Sequence, residues 1–179
     1  MLEDGSVYEG TARGDFKETA CEIVFNTSMT GYVEILTDPS YAGQGVVMTY
    51  PMIGNYGISR EDFESERLQP SAFIVHELSS DPSNFRCTDT IENLLKEYNI
   101  PCISGVDTRA VVKKLRESGT MRGVLTSDIG DRERLMDVIK SFRQIDLVGS
   151  VTAKQTKVYG EENTGAEIAL MDFGTKRNI

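Results

Sequence analysis

The chain has 179 residues, 39% of them hydrophobic and 26% charged, which suits a globular protein with one sizeable core. Its formal net charge of −9 argues against nucleic acid and against an anionic membrane surface as partners, since both need clustered Lys and Arg. Cys21, Cys87 and Cys102 are widely spaced with no CxxC pair or Cys/His cluster, so they read as free thiols and not as a disulfide framework or a metal site. No run approaches a membrane span and the start lacks a signal-peptide pattern, so a cytoplasmic location is expected.

In chain order, residues 2–9 read as a hairpin, with Asp4-Gly5 supplying the positive φ values of a type I′ turn. A polar loop over 13–19 precedes a strand that runs through Glu22-Ile-Val-Phe to Asn26, rich in β-branched and aromatic residues. The stretch 25–57 contains no Lys or Arg, and Glu34 and Asp38 are its only charges, so it is read as buried rather than solvated. Within it, Asn26-Thr-Ser-Met-Thr-Gly suits a turn and a helix start. Tyr32, Ile35 and Leu36 form one apolar face of a short helix, which Asp38-Pro39 stops because a residue before proline is pushed out of the α region. Ser40 follows in a turn, 46–50 is a strand, and 51–57 is a Gly-rich loop.

The acidic run 60–67, REDFESER, reads as a solvated loop or helix face. Residues 71–78 read as one strand on which His76 shares a face with Ile74 and Leu78, followed by a loop over 79–84. Three amphipathic helices come next, separated by short strands. The first has Asp89 as N-cap with Glu92 three residues on, and a stripe of Ile91, Leu94, Leu95 and Tyr98. After a strand at 101–104, the second is capped by Asp107 or Thr108, buries Val111, Val112 and Leu115, and ends at Gly119. A strand at 121–126 leads to the third, opened by Asp131 with Leu135, Val138, Ile139 and Phe142 as its stripe. A further strand is expected in 147–157, then a polar linker around 159–166. Ile168-Ala-Leu-Met-Asp-Phe-Gly resembles the first buried strand of a parallel α/β domain. The domain division is therefore 1–150, a linker over 151–167, and new structure from 168 to 179.

From the residues alone the fold is mixed α/β, β-rich in the first half with helices and strands alternating after Asp89. FNTSMTGYVEILTDPSY followed by TYPMIGNYG is similar to the signature of the small, glutamine-handling chain of carbamoyl-phosphate synthetase, in its N-terminal domain. Leu2-Glu-Asp-Gly-Ser, Asn84-Phe-Arg, Ile103-Ser-Gly-Val-Asp-Thr-Arg and Asp172-Phe-Gly-Thr-Lys-Arg-Asn-Ile extend the resemblance over nearly the whole chain. It implies a three-layer β/β/α domain of the swivelling type, with helices on one side of the main sheet. It implies a parent enzyme that makes carbamoyl phosphate from glutamine, bicarbonate and two ATP, for arginine and pyrimidine synthesis. The small chain releases ammonia from L-glutamine, while the large subunit, the expected partner, binds ATP and Mg; no cofactor is expected on this chain. The resemblance also makes 168–179 the start of a class I glutamine amidotransferase domain, whose Cys, His and Glu lie outside this sequence. The chain then reads as an N-terminal fragment with its last segment weakly held and no glutaminase activity of its own.

Amide hydrolysis by cysteine needs a thiolate, a neighbouring histidine and an orienting acid. His76 is the only histidine and no cysteine sits in a Gly-x-Cys-x-Gly elbow, so no catalytic residue is assigned. By composition, Ser40 is a turn serine satisfying local backbone. The resemblance assigns it more, because Asp38-Pro39-Ser40-Tyr41 matches the family motif whose serine reaches the glutamine held by the amidotransferase domain. Gly54-Asn55-Tyr56-Gly57 lacks the Gly-Lys-Ser/Thr ending of a phosphate loop and is read as packed. Lys176-Arg177 is assigned no chemistry. Two other readings are carried: a phosphohistidine-type swivelling carrier using His76, and a stand-alone interaction domain. The carrier would need an exposed imidazole and a Gly-rich flank; Ile74-Val75-His76-Glu77 is expected to offer neither, and His76 reads instead as a hydrogen-bonded structural histidine on the sheet.

Overall fold

A computed structural model describes residues 1–14, 16–143, 146–160 and 165–179. Strands β1 (Thr11–Arg13), β2 (Thr19–Asn26), β3 (Gln44–Met48), β5 (Ala72–Ile74), β7 (Cys102–Ser104) and β8 (Met121–Leu125) form one sheet, in the order β1-β7-β5-β3-β2-β8. The four central strands are parallel, and β1 and β8 run antiparallel at the two edges. Strands β4 (Met52–Ile53) and β6 (Glu77–Leu78) make a separate parallel pair. Helices α1 (Tyr32–Thr37), α2 (Ile91–Glu97), α3 (Thr108–Ser118), α4 (Arg132–Ser141) and α5 (Leu147–Val151) complete the mixed α/β fold.

The period of two along a strand divides the core. Val46, Met48 and Phe73 point into a layer with Tyr32, Leu36, Ile91, Leu94 and Leu95, from α1 and α2. Their neighbours Val47, Ala72 and Ile74 point the other way, into a layer with Cys21, Ile23, Val111 and Leu115, the last two from α3. Helices thus cover both faces of the sheet rather than one. Central strands buried on both sides explain why 45–48 and 72–75 read as continuous apolar runs instead of alternating ones. The stripe on α4 buries Leu135 and Ile139 against Val124, with Val138 at its margin.

Caps on α3 and α4 are those read from the sequence: Asp107 accepts the Ala110 N–H at 2.9 Å and Asp131 that of Arg134 at 2.9 Å. On α2 the cap lies one residue later than expected. Thr90 accepts the Asn93 N–H at 3.2 Å, while Asp89 is drawn aside to its own neighbour Thr90 N–H and to Asn93 Nδ2. Glu92 closes no capping box and instead pairs with Lys96.

Four other expectations are corrected. Only Gly5 of the first turn has positive φ, at 85°, so the turn is not type I′. The turn is closed by Gly5 N–H to Leu2 O and Leu2 N–H to Ser6 O, while Leu2 also bridges to Gly123 of β8, so the first arm pairs with β8 and meets the second arm only at Ser6. The strand expected over 71–78 breaks after Ile74. Val75 still bonds Ile103 O, but Glu77 turns to Pro51 O and β6 joins β4, so one run serves two sheets. The strand expected in 147–157 is the short helix α5, because Asp146 accepts the Gly149 N–H at 2.9 Å and caps it. The run 60–67 is not wholly solvated: Phe63 and Glu64 are buried. Residue 15 of the expected polar loop and residues 161–164 of the expected linker lie outside the described residues.

Candidate functional site

Helix α1 is held at both ends by contacts distant in sequence. At its start, Gly31 adopts φ 81° and the Tyr56 hydroxyl accepts the N–H groups of Gly31 at 2.6 Å and Tyr32 at 3.2 Å. The Tyr32 and Tyr56 rings stack at 4.2 Å between centroids, and the Tyr32 hydroxyl donates to Gly57 O at 2.8 Å. Burial pushes both phenols above their ordinary values. The Gly-rich loop is thus a brace for α1, as read: a Cβ on Gly57 would run into Cys87 Sγ. At the other end Thr37, fully buried, donates its hydroxyl to Val33 O at 2.9 Å and accepts the Glu64 N–H at 2.9 Å.

The chain then turns through one 3-10 turn, Pro39–Tyr41. Asp38 is its N-cap, with Oδ1 accepting the Ser40 N–H at 2.9 Å. Proline at the first position of such a turn suits its fixed φ and missing N–H. The Tyr41 hydroxyl accepts from Asn26 Nδ2 at 2.8 Å, tying the far side of the turn to the end of β2. Ser40 is exposed on the outside of this fixture. Asp38 itself is 7% exposed, and Lys176 Nζ lies 2.7 Å from its Oδ2. Burial alone would raise the Asp38 carboxyl, but the Lys176 ammonium and the Ser40 N–H outweigh it and hold it below the ordinary value. The same pairing with Asp38 raises Lys176.

Lys176 belongs to a segment that is more firmly held than the sequence implied. Ile168, Leu170 and Met171 are exposed, as expected of a strand without neighbours. From Asp172 onward, however, polar contacts anchor the chain. Asp172 accepts the N–H groups of Gly174 at 2.9 Å and Thr175 at 2.7 Å, and its carbonyl accepts from Ala153 N–H at 3.2 Å. Gly174, at φ 106°, passes so close to Pro39 that a Cβ would lie 3.2 Å from the proline Cβ and 2.7 Å from Val151 Cγ2. The Arg177 N–H donates to Glu64 O at 2.8 Å, and Asn178 Nδ2 donates to Glu64 Oε1 at 3.0 Å.

The structure therefore brings the turn that carries Ser40 beside 172–178, through Thr37 to Glu64, Asp38 to Lys176 and Pro39 to Gly174; Asp38, Glu64 and Lys176 were assigned no site role from the sequence. Asp38 was legible as a turn cap but not as an ion-pair partner. Glu64 was hidden inside a charge run, where the flanking Phe63 and Leu68 were the only sign of burial. The remaining candidates lie elsewhere. His76 is exposed and off the strand face assigned to it, because the chain leaves the main sheet there; its Nδ1 lies 3.0 Å from Val106 O. Burial pushes the Cys21 and Cys102 thiols up to about 12, the opposite of what a nucleophilic cysteine needs. Among the described residues no group of three or more His, Cys, Asp and Glu is placed to hold a metal ion, and no helix is long and apolar enough to cross a membrane.

Fold and site together define an α/β domain that presents a hydroxyl on a rigid edge turn, clasped by a following segment. Residues 1–125 match the family described as carbamoyl-phosphate synthase small chain, CPSase domain. The carbamoyl phosphate synthase small chain of Clostridium perfringens is 47% identical over 180 residues, covering 100% of this chain and 51% of the relative. Those of Archaeoglobus fulgidus and Aquifex aeolicus are 48% and 45% identical, each over 99% of this chain and 50% and 52% of their own length. The chain belongs to the carbamoyl-phosphate synthase small chain family. It spans about half the length of the curated relatives it matches.

Proposed function

We propose that residues 1–150 form the N-terminal domain of the small subunit of a glutamine-dependent carbamoyl-phosphate synthetase. Residues 151–167 link it to an amidotransferase domain that begins at 168–179. The domain docks on the large synthetase subunit and completes one wall of the glutamine site through Ser40. The holoenzyme, a cytoplasmic ligase, makes carbamoyl phosphate from glutamine, bicarbonate and ATP. Glutamine hydrolysis falls to a Cys, His and Glu of the following domain, and ATP and Mg to the large subunit.

The observation that carries this reading is the exposed Ser40 on a turn whose buried cap, Asp38, is bound to Lys176 of the 172–179 segment. An exposed hydroxyl on a turn tied to that segment can both donate to and accept from an amide-bearing ligand, which supports the reading. The test uses the full-length chain with its large subunit. Ser40→Ala removes one neutral hydrogen bond, worth roughly 0.5–1.5 kcal/mol, so glutamine use should fall about two- to twelve-fold while ammonia-dependent synthesis persists. Ser40→Phe should block glutamine use outright by bulk. Normal glutamine hydrolysis by Ser40→Phe makes Ser40 a turn residue and sinks the assignment. His76 is exposed, as a carrier would require and contrary to expectation, but its Nδ1 faces a backbone carbonyl and no glycine flanks it, so the carrier reading gains no further support.

A further inference from the structure

Glu64 is 9% exposed, yet among the described residues no Lys or Arg lies within ion-pair distance of it. Its carboxylate is met by an amide donor at each oxygen, both from one residue: Asn178 Nδ2 at 3.0 Å from Oε1 and the Asn178 N–H at 3.4 Å from Oε2. Its carbonyl takes the Arg177 N–H at 2.8 Å. On its other side its own N–H donates to Thr37 Oγ1 at 2.9 Å, and the next residue, Ser65, donates its hydroxyl to Thr37 O at 2.6 Å. Thr37 is the last residue of α1 and directly precedes Asp38-Pro39-Ser40. One residue therefore joins the end of α1 to positions 177 and 178.

A buried carboxylate is costly unless donors meet it. Here the donors come from 178, so Glu64 favours the arrangement in which that segment is seated. With the segment displaced, the carboxylate has to return to water, while the Thr37 bonds use the Glu64 N–H and the Ser65 hydroxyl, not the carboxylate, and can stay. An apolar side chain at this buried position would lack that selectivity. We infer that Glu64 is a positioning residue: it latches 177–178 to the end of α1 and so sets where Ser40 stands relative to the domain that follows. This rests on the reading of Ser40 given above, which names the hydroxyl but not what fixes its distance from the rest of the site.

The test is made in the full-length chain assembled with its large subunit. Glu64→Ala is expected to raise the KM for glutamine by no more than Ser40→Ala does, up to roughly two- to twelve-fold, because it acts only through the one neutral hydrogen bond of that hydroxyl, and to leave ammonia-dependent synthesis unchanged. Glu64→Gln keeps an oxygen for Asn178 Nδ2 and should recover most of the loss. Combined with Ser40→Ala, the effect should be less than multiplicative, because the latch acts only through that hydroxyl. Asn178→Ala cuts the same latch from the other side and serves if Glu64→Ala does not fold. If neither Glu64→Ala nor Asn178→Ala moves the glutamine KM while Ser40→Phe abolishes glutamine use, Glu64 is no positioning residue and the reading of Ser40 survives. If Ser40→Phe is also silent, that reading falls first. Equal losses of glutamine- and ammonia-dependent synthesis in Glu64→Ala, not recovered by Glu64→Gln, assign Glu64 to folding alone and overturn the inference.

Discussion

Asp38 does two separable jobs, and two substitutions distinguish them. Asp38→Asn keeps an oxygen for the Ser40 N–H but loses the ion pair with Lys176; Asp38→Ala loses both. An N-cap is worth about 0.5–2 kcal/mol, and here the freed Ser40 N–H sits on an exposed residue that water can reach, which favours the lower half. The Lys176 side chain is 40% exposed, so the pair is partly screened and contributes about 0–1 kcal/mol. Asp38→Asn should therefore cost up to about 1 kcal/mol and Asp38→Ala about 0.5–2 kcal/mol, always the larger by the cap's share. With a urea m-value of roughly 2 kcal/mol/M, these become midpoint shifts of up to about 0.5 M and about 0.25–1 M. The Asp38 carboxyl is held below its ordinary value of 3.8, so its contribution is fully present above that pH and is lost as pH falls through the folded value. The gap between wild type and Asp38→Asn should be constant from pH 7 to about pH 4 and narrow below it. Lys176→Met should reproduce the Asp38→Asn loss, and the double variant should add nothing. Urea melts at pH 7 and pH 3 decide the matter. Equal midpoints for Asn and Ala, or a gap that widens on acidification, would refute the argument.

Two further outcomes are expected. At pH 8 a thiol reagent should label Cys87 rapidly in the native protein and leave Cys21 and Cys102 untouched, since a thiol pushed to about 12 is ionised only about one part in ten thousand there and both sulfurs are buried; all three should react in denaturant, and fast native labelling of a second thiol contradicts the burial. Leu95→Ala, at a residue 1% exposed between α2 and the sheet, should cost about 2–5 kcal/mol by calorimetry or urea melting, and a loss under about 1 kcal/mol would mean the layer closes over the gap.

What the sequence determined by itself was what neighbours within a helical turn or along a strand can decide. The stripe Ile91, Leu94, Leu95 on α2 and the caps Asp107 and Asp131 are local patterns, and all stand in the structure. So does the break at Asp38-Pro39, whose cause is steric and lies in two adjacent residues. Tertiary structure decided every case in which two partners competed for one group. The first three residues face two ways: Leu2 keeps its bond to Ser6 O, while Met1 and Glu3 bond Val124 and Arg122 of β8, an edge strand already fixed against β2. The run 71–78 has an unbroken apolar stretch only over 72–75, and the positions of Ile103 and Pro51 determine where the chain leaves one sheet for another. Ser40 followed the same division. Its motif was plain in one dimension, but its surroundings come from positions 64 and 176–178, more than twenty and more than a hundred residues away. Glu64 looked like one more solvated acid, because burial is a property of what folds over a residue and the donors that tolerate it are brought by a segment at the other end of the chain.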